Sequence, residues 1–180
     1  MEMLGIWSGF GERLIRAAKV EVSLYEEVKE DTTSFPQAMA TVILASLATG
    51  IGVGLHTGFG AMIIETFIGL LTWFVWALLA FWFGTRLLAE PQTGNDIGRF
   101  LRTAGFSSAP GLIRVLGIIP PIQKVVFFVS SLWMLVTVVI AIRQGLNYAS
   151  TGRAIAVCAI GFVVQLFVFW VLFGGSMRGA

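Results

Sequence analysis

The chain has 180 residues, of which 57% are hydrophobic and 12% are charged, against about 25% charged residues in an ordinary soluble domain. Its mean hydropathy is +0.87. This composition excludes a soluble globular protein and predicts an all-α integral membrane protein of one domain. The net charge of +2 is too small to argue for nucleic-acid binding, and the single cysteine, Cys158, excludes an intramolecular disulfide.

Residues 1–36 predict a cytoplasmic amphipathic lead-in to the membrane domain. Trp7, Phe10 and Leu14 recur at intervals of three or four residues, which is typical of a helix with one apolar face. We expect this face to bind the membrane surface or the underside of the helix bundle. Because the polar face carries both signs of charge, a plain lead-in helix is favoured over a dedicated lipid sensor.

Four apolar runs predict regular membrane-spanning helices, since about 20 apolar residues are needed to cross a bilayer. In the first run, Gly50 and Gly54 form a small-xxx-small pair, which predicts a close helix crossing within the chain or with another copy. The predicted spans are residues 37–55, 59–83, 125–142 and 154–173, and residues 174–180 form a short tail.

The stretch between the second of these spans and the next is the least apolar part of the membrane domain. Arg102 and Arg114 place charges in it, and Gly105 and Pro110 interrupt its helical character. Lipid cannot satisfy freed backbone groups, so such a stretch must be sheltered by neighbouring helices. We therefore expect an irregular third span, about residues 100–119, at the centre of the bundle.

The distribution of Lys and Arg residues predicts a cytoplasmic N-terminus. With five spans, the inner side holds nine of these residues and the outer side holds two, as the positive-inside rule requires. If the central stretch is re-entrant and the spans number four, the count is ten against two. Charge alone therefore does not decide between four and five spans. We expect a five-transmembrane-helix bundle in the cytoplasmic membrane.

Polar groups inside the spans are candidates for pairing. Glu65 and Arg114 each lie six residues from the outer end of a predicted span, and ionised groups within a bilayer usually face inward and pair. We expect a salt bridge between them. The alternatives are a proton- or anion-handling site, or an Arg114 that extends to the surface while Glu65 binds backbone or water. Gln165, near mid-membrane, predicts an inter-helical hydrogen bond worth about 1 kcal/mol.

The sequence predicts no catalytic, cofactor or metal site. His56 has no Cys or carboxylate neighbour at metal-ligand spacing, and Ser107 and Ser108 have no nearby base. We expect a non-enzymatic membrane scaffold, or a membrane-shaping or partner-binding protein. The alternatives are a small transporter or channel, or an accessory subunit of a larger membrane complex. A membrane-embedded enzyme is the least favoured reading.

Three stretches of the chain together carry a recognisable pattern: Tyr25 to Asp31 with Pro36 to Ala38, Arg102 to Pro110, and Trp133 with Ala141 to Ala154. The clearest is Arg102, two intervening residues, and then Gly-Phe-Ser-Ser-Ala-Pro over residues 105–110. These stretches resemble the Yip-domain family, small multi-pass membrane proteins first named for interaction with Ypt/Rab GTPases, in which this motif lies in the third helix. The resemblance covers roughly residues 20–173.

The resemblance implies five helices, a cytoplasmic N-terminus and a C-terminus on the far side. It also implies a role in membrane trafficking, with the lipid bilayer and a second copy or another membrane protein as partners. Eukaryotic members usually carry a longer N-terminal region that binds partners. The lead-in here has about 36 residues, which resembles a prokaryotic member and argues against small-GTPase binding.

Overall fold

The computed structural model describes residues 7–173, except for the side chains of residues 55–57, 168–169 and 171–173. Every regular element in this part of the chain is helical, and the predicted tail, residues 174–180, lies outside it. The α-helices are α1 Phe10–Ala18, α2 Val22–Glu30, α3 Phe35–Thr57, α4 Phe59–Arg86, α5 Ile97–Phe106, α6 Gln123–Gly145 and α7 Thr151–Phe173. The 3-10 segments are Thr32–Ser34, Ala109–Ile118 and Pro120–Ile122.

The lead-in folds as two short antiparallel helices, where the sequence predicts one amphipathic helix. The chain turns between α1 and α2, and Val20 adopts a left-handed backbone conformation there, with φ 65°. A β-branched residue rarely takes this conformation, because its Cβ crowds the backbone. The turn falls beside Glu21, the residue that interrupts the apolar pattern. We call α1, α2 and this turn the N-terminal hairpin.

Three helices among the described residues are long and apolar enough to cross a membrane: Thr32–Gly54, Phe59–Arg86 and Pro120–Gly145. The stretch Thr151–Phe167 is apolar but shorter. Large apolar side chains are exposed along α4, α6 and α7, as expected for surfaces that face lipid. The all-helical fold and the apolar helices support a protein embedded in a membrane.

The third predicted span, expected to be irregular over about residues 100–119, consists of two different elements. α5 ends at Phe106, and the 3-10 segment Ala109–Ile118 follows. The physical reason is Pro110, which has no N–H to donate and whose ring would clash with the carbonyl of Phe106 in a continuing α-helix. At 1.5 Å and 2.0 Å per residue, the two elements extend about 15 Å and about 20 Å. We call residues 97–118 the central segment.

The central segment lies inside the bundle, as the sequence predicts. It packs between α3 and α6, while α4 packs on α3, and α7 packs on α4 and α6. Every residue from 102 to 111 is buried. Hydroxyl groups of α6 satisfy backbone oxygens at the break: Thr137 Oγ1 donates to the Ser107 carbonyl at 2.8 Å. The neighbouring helix thus supplies what lipid cannot.

Three glycines of the central segment allow close contact with α3. The contacts pair Gly105 with Ala38, Gly111 with Ala45, and Gly117 with Gly52. Six residues of 3-10 backbone rise about 12 Å and seven residues of α-helix rise about 10.5 Å, so the two elements run side by side in nearly matched steps. These glycines interrupt the helical pattern in the sequence, and in the structure they also serve as contact points.

Basic residues gather at one end of the bundle, which we call the basic end. Arg86, Arg99, Arg143 and Arg153 lie at the helix termini that meet there. Tyr148, in the loop between α6 and α7, donates from its hydroxyl to the Gly84 carbonyl at 2.6 Å and fastens this loop to α4. Burial, with a contribution from nearby Glu90, raises the pKa of Tyr148 to about 12.

Candidate functional site: the docked hairpin and the central segment

Arg102 joins the N-terminal hairpin to the central segment. Its guanidinium donates from Nε to the Val28 carbonyl at 3.0 Å and from Nη2 to the Lys29 carbonyl. These carbonyls belong to the last turn of α2, where backbone oxygens have no partner within the helix and the helix dipole favours a cation. The side chain is 7% exposed, so Arg102 acts as a buried cap for α2.

Further contacts hold the hairpin along α6 and the basic end. Lys29 is buried and donates from Nζ to Asn147 Oδ1 at 2.9 Å. Trp133 Nε1 donates to the Ala18 carbonyl at 2.7 Å. Because Trp133 lies near the middle of α6, the turn of the hairpin reaches the mid-length of that helix. The hairpin therefore packs against the side of the bundle, and no signal in the sequence predicted these polar contacts.

The three residues predicted to contact the membrane surface divide into two groups. Phe10 and Leu14 pack against the buried cluster formed by the hairpin, α3, the central segment and α6. These contacts attach the hairpin to the bundle, which is the second of the two destinations predicted for Phe10 and Leu14. Trp7 is 47% exposed and contacts Phe10 edge-on, at 5.4 Å between ring centroids.

An ionic network lies on the side of the hairpin that faces away from the bundle. Arg13 Nη2 donates to Asp31 Oδ2 at 2.8 Å, and Arg16 Nη1 donates to Glu27 Oε2 at 2.7 Å. Burial alone would raise the pKa of Glu27, but the hydrogen bonds from Arg16 and Arg13 hold it below its usual value. For Asp31, bonds from Thr33 and Arg13 likewise overcome burial and lower the pKa.

Acid is expected to loosen the hairpin. A carboxyl group with a lowered folded pKa stabilises the fold above its unfolded pKa, about 4, and this contribution disappears as the pH falls through the lower folded value. Hydrogen exchange over residues 10–30, corrected for intrinsic rates, should therefore show weaker protection at about pH 3 than at about pH 6. An Arg13→Gln variant should show a smaller change, and equal protection of the unaltered chain at both pH values would contradict the role assigned to the network.

Arg114 and Glu65 do not pair, and the predicted salt bridge is wrong. Arg114 donates to hydroxyl groups, from Nε to Ser130 and from Nη2 to Ser131, each at 3.0 Å. Glu65 lies on α4, which packs on α3 rather than on the 3-10 segment that carries Arg114. The prediction from equal depth assumed that the third span lies directly beside α4. No carboxylate of the described residues forms an ion pair with Arg114.

Gly50 and Gly54 face α4 at a close crossing of α3 and α4. A Cβ atom on Gly50 would collide with the Thr66 hydroxyl and would lie 2.6 Å from the Met62 carbonyl oxygen. A Cβ on Gly54 would collide with the Met62 side chain. The intramolecular partner is α4, which is the first of the two partners that the sequence left open.

Gly50→Leu is expected to destabilise the bundle by about 1–3 kcal/mol, because over-packing forces these helices apart. The measurement is thermal unfolding in a neutral detergent. Gly60→Leu is the matched control, since a Cβ on Gly60 would meet nothing within 4 Å. Equal melting temperatures for the two variants would place Gly50 away from a tight contact.

The remaining predicted residues have structural positions. Gln165 Nε2 donates to the Thr72 carbonyl at 3.2 Å and so joins α7 to α4. The side chain of His56 lies outside the described part of the chain. Among the described residues, no three His, Cys, Asp or Glu side chains form a group that could hold a metal ion.

The motif Arg102 to Pro110 now has a structural explanation at several positions: Arg102 caps α2, Gly105 contacts α3, and Pro110 ends α5. In comparisons with known proteins, the Yip1 domain matches residues 22–173. This range begins at the first residue of α2 and ends at the last residue of α7. Searches of curated proteins and of solved structures found no match. The chain is a membrane protein that belongs to the Yip1 domain family.

Proposed function

We propose that the protein is a non-enzymatic membrane scaffold that binds a membrane-protein partner or a second copy through its N-terminal hairpin. The observation that carries this proposal is the docking of the hairpin. Leu24, Tyr25 and Val28 are fully buried against the bundle, and Arg102 caps α2. A short helical pair held in this way presents a fixed surface, and a fixed surface lowers the entropic cost of binding a partner.

The side of the hairpin that faces away from the bundle has features suited to binding a partner protein. Ile15 and Val22 are 58% and 46% exposed on either side of the turn, next to the network of Arg13, Arg16 and Glu27. Protein interfaces combine a small apolar centre with a polar rim. Ile15 and Val22 would form the centre, and the charged groups would form the rim.

The basic end supports an orientation within this proposal. Lys and Arg residues are enriched on the cytoplasmic side of membrane proteins. We therefore place the basic end on the cytoplasmic side of a prokaryotic cytoplasmic membrane, with the hairpin extending from that end along α6. A scaffold with this orientation would gather partners at the cytoplasmic face, in keeping with membrane organisation or trafficking.

Purification of the full chain from its own membrane in a mild detergent tests the proposal. A stoichiometric partner or a homo-oligomer is expected, and Ile15→Asp with Val22→Asp should remove it while the protein stays folded. Glu12→Gln is the matched control, because Glu12 is an exposed residue of the same hairpin. A chain that is strictly monomeric, alone and without effect on liposome shape would contradict the scaffold. Solute flux in proteoliposomes would instead favour a transporter.

A further inference from the structure

The buried polar atoms without a partner are concentrated in one place. Among the described residues, three buried side-chain atoms make no hydrogen bond: Trp73 Nε1, Trp76 Nε1 and Ser108 Oγ. All three residues line one cavity of about 280 Å³, which lies between α4, the central segment, α6 and α7. Unpartnered buried donors are costly and rare in native proteins. Trp76 Nε1 lies against Gly161 of α7, which does not line the cavity, so Trp73 and Ser108 are the unpartnered groups that a hydrogen-bond acceptor in the cavity would use.

The charge at the cavity specifies the acceptor further. Arg114 also lines it, donates to the neutral hydroxyl groups of Ser130, Ser131 and Thr49, and lies with its guanidinium 5.5 Å from the centroid of the Phe127 ring. Indole and guanidinium groups donate hydrogen bonds and do not accept them. A half-buried cation with no carboxylate partner among the described residues favours an anionic oxygen group, because charge-assisted bonds are the strongest of this kind. A carboxylate or a phosphate fits this set of donors.

An apolar groove adjoins the cavity. It has a volume of about 540 Å³, lies between α6 and α7, and shares Leu135 and Phe162 with the cavity. Along α7 it extends from Phe162 to Thr151, which is about 16 Å at 1.5 Å per residue. Its lining is almost wholly apolar. A cavity rich in donors beside an apolar groove matches a molecule with an anionic head and a hydrocarbon chain.

We propose that the protein binds an anionic lipid, with the head group at Arg114, Trp73 and Ser108 and one acyl chain in the groove between α6 and α7. Ser130 and Ser131 lie seven and eight residues beyond Gln123, so the head group is about 11 Å from the end of α6 opposite the basic end. The chain then runs toward the basic end. This direction suits a lipid of the leaflet opposite the basic end, drawn inward by the donors.

Binding to the full chain in a neutral detergent tests the proposal, read by native mass spectrometry and by the shift in melting temperature. The probes are oleate and dioleoyl phosphatidate as anionic lipids, oleyl alcohol as the neutral match, and inorganic phosphate as the free anion. Saturable binding of both anionic lipids is expected. The affinities for oleyl alcohol and for inorganic phosphate should each be at least tenfold weaker. A photoactivatable fatty acid should label α6 and α7.

Two sets of variants distinguish binding of the head group from binding of the acyl chain. Ser108→Ala removes one donor with little change of volume, and Trp73→Phe removes one donor together with part of the indole ring; each should weaken oleate binding about fivefold to tenfold. Arg114→Gln should weaken it more. Ala159→Trp should block the groove, since Ala159 lines it and is exposed. Val163→Trp is the matched control, because Val163 is 65% exposed on the same helix and lines neither the cavity nor the groove.

Specific outcomes overturn the proposal. Equal affinities for oleate and oleyl alcohol would show that the cavity does not select an anionic head group. If inorganic phosphate bound as tightly as phosphatidate, the ligand of the cavity would be a free anion instead of a lipid. Oleate binding unchanged in both Trp73→Phe and Ser108→Ala would show that these donors serve another purpose, such as holding water. Equal effects of Ala159→Trp and Val163→Trp on oleate binding would show that the acyl chain does not lie in the groove.

Discussion

Replacement of Arg102 by Met is expected to release the N-terminal hairpin from the bundle. The change leaves the carbonyls of Val28 and Lys29 without the two bonds that the guanidinium supplies. Each hydrogen bond to a charged group is worth about 1.5–3 kcal/mol, so the expected loss of docking free energy for the two bonds is about 3–6 kcal/mol. Limited proteolysis in detergent should then cut the region between Phe10 and Glu30 while α3 to α7 stay intact.

Arg99→Met is the matched control, since Arg99 lies on the same helix three residues earlier. Its ion pair with Glu30 is exposed, and exposed pairs are worth about 0–1 kcal/mol. Arg102→Lys should be intermediate, because an ammonium group cannot reproduce the two-pronged geometry of the guanidinium. Equal protease resistance of the Arg102→Met and Arg99→Met variants would remove Arg102 from the docking account.

Gly105→Leu is expected to destabilise the bundle where the central segment contacts α3. A Cβ at Gly105 would lie 2.8 Å from both the Cβ and the carbonyl oxygen of Ala38. Part of this contact is backbone against backbone, so no side-chain rotation can relieve it. Over-packing usually costs about 1–3 kcal/mol, and we expect a value near the upper limit, about 3 kcal/mol. Thermal unfolding in detergent measures it.

Gly11→Leu provides a control for the loss of a helical glycine, because a Cβ at Gly11 would meet nothing within 4 Å. It should change the melting temperature little. The pair Gly105→Ala and Gly105→Ala with Ala38→Gly offers a finer test, since the second change removes one of the two contacts. A double variant no more stable than Gly105→Ala would show that the Ala38 side chain is not the limiting contact.

The sequence was informative where the local pattern determines structure. Pro110 predicted a break in the third element, and hydropathy predicted the long apolar helices α3, α4 and α6. These features depend on neighbours in the chain: proline removes a donor, and a continuous apolar run needs no partner to be recognised. The sheltered position of the central segment followed from the same local argument, because a broken element has no stable place in lipid.

Other features depend on residues far apart in the chain. Arg102 finds its acceptors 73 and 74 residues earlier, and Trp133 finds its acceptor 115 residues earlier. No spacing in one sequence reports such distances. The predicted pair of Glu65 and Arg114 failed for a related reason. It took the third element to lie next to α4, but the 3-10 segment packs between α3 and α6.

The sequence pattern did not predict the candidate cavity. When only their helix is considered, Trp73 and Trp76 have the pattern of lipid-facing or interfacial aromatic residues. Their role at the cavity depends on Ser108 and Arg114, which the central segment brings to the same place. An unpartnered donor is a property of the packed structure, because any polar side chain has water as a partner in the unfolded chain.

The most direct test of the account measures whether the hairpin is fixed to the bundle in a lipid bilayer. Spin labels on cysteines at Ser23, on α2, and Ser150, in the loop before α7, would report the distance, with Cys158→Ala removing the native thiol. Both positions are exposed, so the labels leave the core undisturbed. The account predicts one narrow distance distribution that becomes broad in the Arg102→Met variant. A broad distribution in the unaltered protein, or one that the Arg102→Met change leaves as it was, would contradict it.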